Sequence, residues 1–312
     1  MKHLAFVVSL MICAQVFPSG IGGYTGASQR LTSDALSAGT GGITLFKGSS
    51  SNSYSHNPAS LAFSEERRFD ANTVNLSLDR YVYTLNGSMP LPPTARLSFG
   101  LIAAGTNDIM ARDSRGYEAG LMDDSEMAYL VSFSNRFSDK LAIGLSLKLL
   151  TRKLVSEDEW LDLDGSGFGA GLGILFRATE TGTLGFAIKD WNASYKWKTQ
   201  DLFEQGSAYQ DQFPMSLAWG WMQRINHFTL ALEHDHYFSG ANILRFGLLW
   251  QGIQGISLNG GTSLEDGVLH PGASLRVERS LIRGLPMHID VGFVNGVQGE
   301  GLRTYLGWGL IF

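Results

Sequence analysis

From about residue 69 to the end of the chain, large apolar side chains return at every second position. Residues 141–149 read Leu-Ala-Ile-Gly-Leu-Ser-Leu-Lys-Leu, so Leu141, Ile143, Leu145, Leu147 and Leu149 share one face while Ala142, Gly144, Ser146 and Lys148 share the other. This is the period of an extended strand; a helix would scatter the same residues around its circumference. The alternation recurs in Met127, Tyr129, Val131 and Phe133, in Leu184, Phe186 and Ile188, in Phe213, Met215, Leu217, Trp219 and Trp221, and in Phe228, Leu230 and Leu232. It continues through Leu244, Phe246, Leu248 and Trp250, then Met287, Ile289, Val291 and Phe293, to Leu306, Trp308, Leu310 and Phe312. The opposite face is built of Gly, Ala, Ser and Thr with an occasional Lys189, Glu233 or Arg303. A secreted sandwich would carry long charged residues on its wet face. Large apolar residues facing outward and small polar ones facing inward are the pattern of a barrel in an outer membrane.

The fold expected is all-β, a transmembrane antiparallel barrel of about 14 strands with an N-terminal plug. The strands fall near 69–77, 80–88, 95–104, 126–137, 139–151, 165–178, 182–191, 212–224, 226–236, 242–251, 254–263, 269–279, 286–294 and 301–312. Short links such as Phe137-Ser138-Asp139 and Arg224-Ile225-Asn226 alternate with longer ones at 105–125, 152–164, 192–211 and 237–241. Strict alternation of periplasmic turns and external loops gives an even count and places both ends of the barrel on the periplasmic side. Two links break the rule of lengths: 78–79 is tight for an external loop and 89–94 is long for a turn. Tyr81, Tyr83, Trp160, Trp191, Trp219, Trp221, Trp250 and Trp308 are candidates for the aromatic girdles at the two interfaces. The last strand ends on Phe312, with Leu306, Trp308 and Leu310 on the same face, and so resembles the sorting signal read by the barrel-assembly machinery.

Composition supports this picture. Glycine supplies 38 of 312 residues, against an average near 7%, and charged residues make up 17% where roughly 25% is usual. The net charge of −5 leaves no basic footprint for nucleic acid. Met1-Lys2-His3 followed by the apolar run Leu4 to Ala14 reads as a secretory signal peptide within residues 1–20, too short to span a bilayer. The single cysteine, Cys13, lies inside it. The expected location is the outer membrane of a Gram-negative-type bacterium, with the barrel at 69–312 in contact with its lipid.

Residues 21–68 do not alternate. They contain Ala35-Leu36-Ser37-Ala38-Gly39-Thr40-Gly41-Gly42, a polar run from Gly48 to Ser55, and His56-Asn57-Pro58-Ala59-Ser60-Leu61-Ala62. Pro58 fixes its own φ and pushes Asn57 to an extended conformation, while the Asn57 side chain bonds local backbone, so the unit makes a rigid corner before a short helical turn. A small-residue Gly-Gly stretch followed by Asn57-Pro58-Ala59 and Leu61-Ala62 resembles the N-terminal signature of the PorV/PorQ family, relatives of the FadL long-chain fatty acid transporters. The resemblance implies a plug or hatch at the base of a 14-stranded barrel. It also implies a part in protein export to the cell surface, with secretion-system subunits or secreted clients as partners. The alternative is a FadL-like channel that binds a hydrophobic small molecule in the lumen and passes it sideways into the membrane. An apolar tunnel lined by Leu45 and Phe46 would speak for transport, and a lumen filled by packed side chains for a scaffold. The reduction of the family's aromatic run to Tyr54 and the short chain are departures from the pattern.

Other constellations carry less chemistry. Asp162, Asp164 and Ser166, with Gly167 following, match the first half of a calcium loop, but the twelfth position is Gly173 where a bidentate acid belongs. His234 and His236 share one strand face without a third ligand. No Gly-x-Ser-x-Gly elbow occurs and the histidines are scattered, so no catalytic residue is assigned, and no cofactor is expected.

Overall fold

The computed structural model describes residues 23–46, 53–158, 161–198, 209–282, 285–296 and 301–312; the signal segment and Trp160 lie outside these. Three short helices come first, α1 (Ala27–Arg30), α2 (Ala35–Gly39) and α3 (Ser53–His56), then a 3-10 helix at Pro58–Phe63. The strands are β1 (Arg68–Asn75), β2 (Arg80–Leu91), β3 (Ala95–Arg112), β4 (Glu118–Arg136), β5 (Leu141–Ser156), β6 (Asp162–Arg177), β7 (Gly182–Lys198) and β8 (Tyr209–Gln212). They continue as β9 (Ser216–Ile225), β10 (Phe228–Tyr237), β11 (Asn242–Ile253), β12 (Ile256–Glu265), β13 (Val268–Ile282), β14 (Leu285–Asn295) and β15 (Leu302–Ile311).

Consecutive strands pair antiparallel, except β8 with β9, and β1 closes on β15, with Phe69 opposite Leu310 and Asn75 opposite Thr304. Closure pairs the edges of the wall outside the β7–β9 junction, as hydrocarbon surroundings demand. Both β8 and β9 pair with β7: Ser194 to Trp197 face Gln212 to Tyr209, and Gly182 to Lys189 face Gln223 to Ser216. They are two halves of one wall position, interrupted at Phe213-Pro214-Met215, where Pro214 offers no N–H to the ladder. Counted this way the barrel has the 14 wall positions read from the alternation, with β8 as an additional piece.

The alternation maps onto the two faces along most strands, but Phe213 and Trp221 depart from it: both are buried, and Phe213 packs against Tyr195 and Gly26 inside the wall. Leu145, Leu147, Leu149, Tyr129, Val131 and Phe133 are exposed outward, while Ala142, Ser146, Lys148, Ala128, Ser132 and Ser134 are buried inward. Exposed Tyr83 and Trp191 lie toward the external end and exposed Trp308 toward the other, as two aromatic bands require. The link lengths need correction. Strands β3 to β7 run 16 to 19 residues, so most of 105–125 and 152–164 is strand, and only 113–117 and 157–161 separate the strand ends. Since about 10 residues cross a bilayer, these strands are longer than a crossing needs and extend the wall at one end.

Residues 26–46 and 53–63 pack against the inward faces of the wall. Helix α2 lies on β12 to β15, and the 3-10 helix lies on β3 to β6, so the segment crosses the lumen from one side to the other. The inward glycines are where it seats. A Cβ on Gly173 would collide with Asn57 Oδ1, and one on Gly261 would collide with the backbone of Thr40 and Gly41. Gly41 and Gly42 themselves have φ of 71° and 86°, a left-handed pair that side chains resist. Part of the glycine excess is thus a docking surface for backbone.

Candidate functional site

The corner at Asn57 forms as its sequence implies. Its Oδ1 accepts from Ala59 N at 3.1 Å, Pro58 begins the 3-10 helix, and Nδ2 donates to Leu45 O at 2.8 Å. Asn57, Pro58, Ala59 and Leu61 are all buried. Leu45 and Phe46 do not line an apolar tunnel. They pack into a buried cluster with Ala59, Ala142, Leu175, Ala187 and Ala218.

The inward face also carries paired charges. On β10, Glu233 and Asp235 point the same way, with Arg245 opposite Glu233 on β11 and Lys189 on β7. Lys189 Nζ lies 2.9 Å from Asp235 Oδ1 and 3.5 Å from Glu233 Oε1. Arg245 Nη1 lies 2.5 Å from Asp235 Oδ2 and 3.3 Å from Glu233 Oε1. Glu233 also accepts from the backbone N–H groups of Thr44 and Leu45 at 2.7 and 3.0 Å and from Thr44 Oγ1 at 3.1 Å. With Asn57 holding the Leu45 carbonyl, the Thr44–Leu45 stretch is clipped from both sides. Nearby, Lys148 Nζ pairs with Asp190 Oδ1 at 2.7 Å. Such pairing is what permits buried charge at all.

Two further groups line the wall. Glu126 accepts from Tyr195 Oη at 2.6 Å and from Gln29 Nε2 at 3.3 Å, next to the bidentate pair Arg152–Asp124. Arg276 grips Asp290 through two bonds of 2.7 Å, and His288 Nε2 lies 3.1 Å from Asp70 Oδ1.

Between residues 24–42 and the external halves of the strands lies a cavity of about 420 Å³. Leu31, Leu76, Val82, Ile243 and Val294, with the rings of Tyr81, Tyr237 and Tyr305, form its apolar lining. Arg30, Arg80, Arg152, Arg245 and Arg303 face it alongside Asp124, Glu126 and Glu265. The lining is therefore mixed, with the packed Leu45–Phe46 level on its periplasmic side.

The remaining sequence candidates sit elsewhere. Leu306, Trp308, Leu310 and Phe312 follow one another on the outward face of the last strand, with Leu306, Trp308 and Phe312 exposed and the Trp308 ring tilted against Phe69, their centroids 5.8 Å apart. Asp162, Asp164 and Ser166 lie along β6, an extended strand and not a coiled loop, so their side chains are spread along one line; Asp162 pairs with Lys153 at 3.4 Å. Among the described residues no group of three or more His, Cys, Asp or Glu is placed to hold a metal ion. His234 is buried with its ring edge-on to Trp219 at 4.4 Å, and His236 Nδ1 meets Asn242 at 2.9 Å. In the sequence Lys189 and Glu233 stand out singly, without marking their group. The available signal was that Glu233, Asp235, Lys189 and Arg245 all fall on inward positions of neighbouring strands.

No protein-family model and no curated protein matches the chain. Solved structures do. The toluene transporter TbuX of Ralstonia pickettii superposes with a TM-score of 0.65 at 11% identity, covering 89% of this chain and 98% of its own. The monoaromatic hydrocarbon channel CymD gives 0.62 at 12%, covering 91% and 98%. A FadL homologue of Pseudomonas aeruginosa gives 0.58 at 11%, covering 90% and 97%. These comparisons lend nothing to the PorV/PorQ resemblance or to a role in protein export. They show that the chain has the fold of FadL-type barrels over nearly its whole length.

Proposed function

We propose that this chain is a non-enzymatic outer-membrane channel of FadL-like build, which admits a hydrophobic or amphipathic small molecule through the external half of its lumen. The N-terminal segment serves as the hatch that closes the periplasmic half. The observation that carries this reading is the 420 Å³ cavity between segment and wall, above a level packed shut by Leu45 and Phe46. That volume falls in the range of small-molecule sites, and the toluene transporter TbuX and the monoaromatic hydrocarbon channel CymD share the fold. The packed level, which taken alone would suit a scaffold, is the closed state of a hatch when a cavity stands beside it.

The exit in this reading is sideways, at the interrupted ladder. Between Lys189–Ser216 and the Phe213 N–H to Ala193 O bond, the wall has a stretch at Asp190–Asn192 without regular pairing to β9. Asp190 and Asn192 there adopt φ of 56° and 53°. The test is uptake of radiolabelled toluene into proteoliposomes holding the purified barrel. Ala104, buried and lining the cavity, is replaced by Trp to fill it. The expected result is uptake by the natural protein and at least a tenfold lower rate for Ala104→Trp; equal rates, or none for either protein, would sink the proposal.

A further inference from the structure

The outward apolar stripe ends differently on the two halves of the barrel. On β4 it stops at Met127 and gives way to Ser125 and Asp123; on β5 it stops at Leu149, before Thr151 and Lys153; on β6 it stops at Phe168, before Ser166 and Asp164. These polar residues are exposed, so the long strands finish in water. On the other half the stripe runs to the turns. The links 76–79, 238–241 and 266–267 are short, and β14 and β15 are drawn together at their tip by the bond from Gly296 N to Gly301 O at 2.9 Å. Leu78, Phe238, Leu269 and Leu302 stand in or beside these four links and are 60% to 80% exposed. Leu78 holds φ at 62°, a conformation that turns ordinarily give to Gly or Asn, so the turn itself supplies no reason for leucine there. On the outward face just below it, Tyr81 and Tyr83 lie against each other with ring centroids 5.2 Å apart, a pair of the kind that sits at headgroup level.

The cavity lies at the height of these short links. Leu76 and Arg80 line it from either side of the first, Tyr237 from the edge of the second and Glu265 from the edge of the third. On the long strands its lining residues are well inside: Thr106 lines it where β3 runs on to Arg112, and Asp124 where β4 begins at Glu118. On one half a single turn therefore separates the cavity from the outside; on the other an extended wall does.

We infer that the short rim, from the β10–β11 link round to the β1–β2 link, rests in the headgroup layer of the outer leaflet, and that the cavity opens over it to that lipid. The long strands opposite form a backstop in water. An exposed apolar fringe that continues a lipid-facing stripe is membrane contact by its chemistry. What passes the rim rests on the channel reading above: a hydrophobic molecule already dissolved in the outer leaflet reaches the lumen without first entering bulk water.

The position of the rim is read from spin labels. Cys13→Ser leaves an introduced cysteine alone in the chain, and Leu78→Cys, Phe238→Cys and, on the long side, Arg115→Cys each place a label on an exposed residue. In vesicles of phosphatidylethanolamine and phosphatidylglycerol, the labels at 78 and 238 are expected to collide more with oxygen than with a water-soluble nickel chelate, and the label at 115 the reverse. Labels at 78 and 238 as accessible to nickel as the one at 115 would overturn the inference. Its role in entry is read from toluene uptake by proteoliposomes: Leu78→Asp combined with Phe238→Asp puts charge on the fringe and should slow uptake roughly fivefold, while Arg115→Asp leaves the rate unchanged. Equal rates for the natural protein and the double variant would refute entry over this rim. Absence of uptake by the natural protein sinks the channel reading instead, and the labels then still decide whether the rim lies in lipid, as they do if the double variant fails to assemble.

Discussion

Asn57 joins two stretches of backbone with one amide group, accepting from Ala59 N and donating to Leu45 O. Replacing it with Ala leaves both of those buried groups unpaired, at about 1–3 kcal/mol each. Asn57→Ala is therefore expected to keep the heat-modifiable barrel while proteolysis within residues 23–63 becomes roughly tenfold faster; unchanged proteolysis would reduce the corner to a spacer. Asn57→Asp, which retains the acceptor but sets a buried, unpaired carboxylate against the Leu45 carbonyl, should be at least as damaging. The corner was legible because its physics is local: a proline, an amide side chain and the next few residues. The Glu233 clip was not. Its backbone partners Thr44 and Leu45 stand 189 and 188 residues away in the chain, and no pattern within a strand marks which inward carboxylate will meet them.

At the scale of elements, the alternation locates a strand only where its two faces meet different surroundings. Leu141–Leu149 qualifies, with lipid on one side and the lumen on the other. Beyond the membrane both faces are wet, so Asn107, Asp108, Arg112, Glu118 and Asp123 carry no period of two, and the external parts of β3 and β4 read as loop. The same reasoning explains β8, whose Tyr-Gln-Asp-Gln is polar throughout. The last strand shows the opposite case, a clean stripe whose end is locked by paired bonds: Arg67 N to Phe312 O at 3.2 Å and Phe312 N to Arg67 O at 3.0 Å. Deleting Phe312 removes both bonds and an exposed ring, and in lipid each unpaired backbone group costs several kcal/mol. The yield of heat-modifiable barrel in membranes should drop several-fold. Phe312→Ala keeps the backbone bonds and isolates the ring; normal yields from both variants would mean that assembly does not depend on this residue.

On the scale of the whole molecule, seating of the N-terminal segment against the wall is linked to pH through His56. This side chain ends α3, is buried, and lies among Lys189, Lys148 and Arg245, which oppose its protonation, with Asp235 favouring it. Its pKa in the seated state is held below the ordinary 6.5, first by burial and then by the lysines. The seated state therefore binds fewer protons than any state in which His56 reaches water. Stability of seating is full above about pH 6.5 and is lost as the pH falls below it, down to the depressed seated value, by up to about 1.4 kcal/mol per pH unit for one proton. The chain should hold its segment firmly at pH 7.5 and release it more often at pH 5, while the wall, closed by backbone bonds, stays intact. Single-channel recording in planar bilayers resolves the two: more frequent openings at pH 5 in the natural protein, and a flatter response in His56→Gln, which keeps a polar side chain of similar reach but cannot become charged. Equal pH dependence in the two proteins would remove His56 from the linkage.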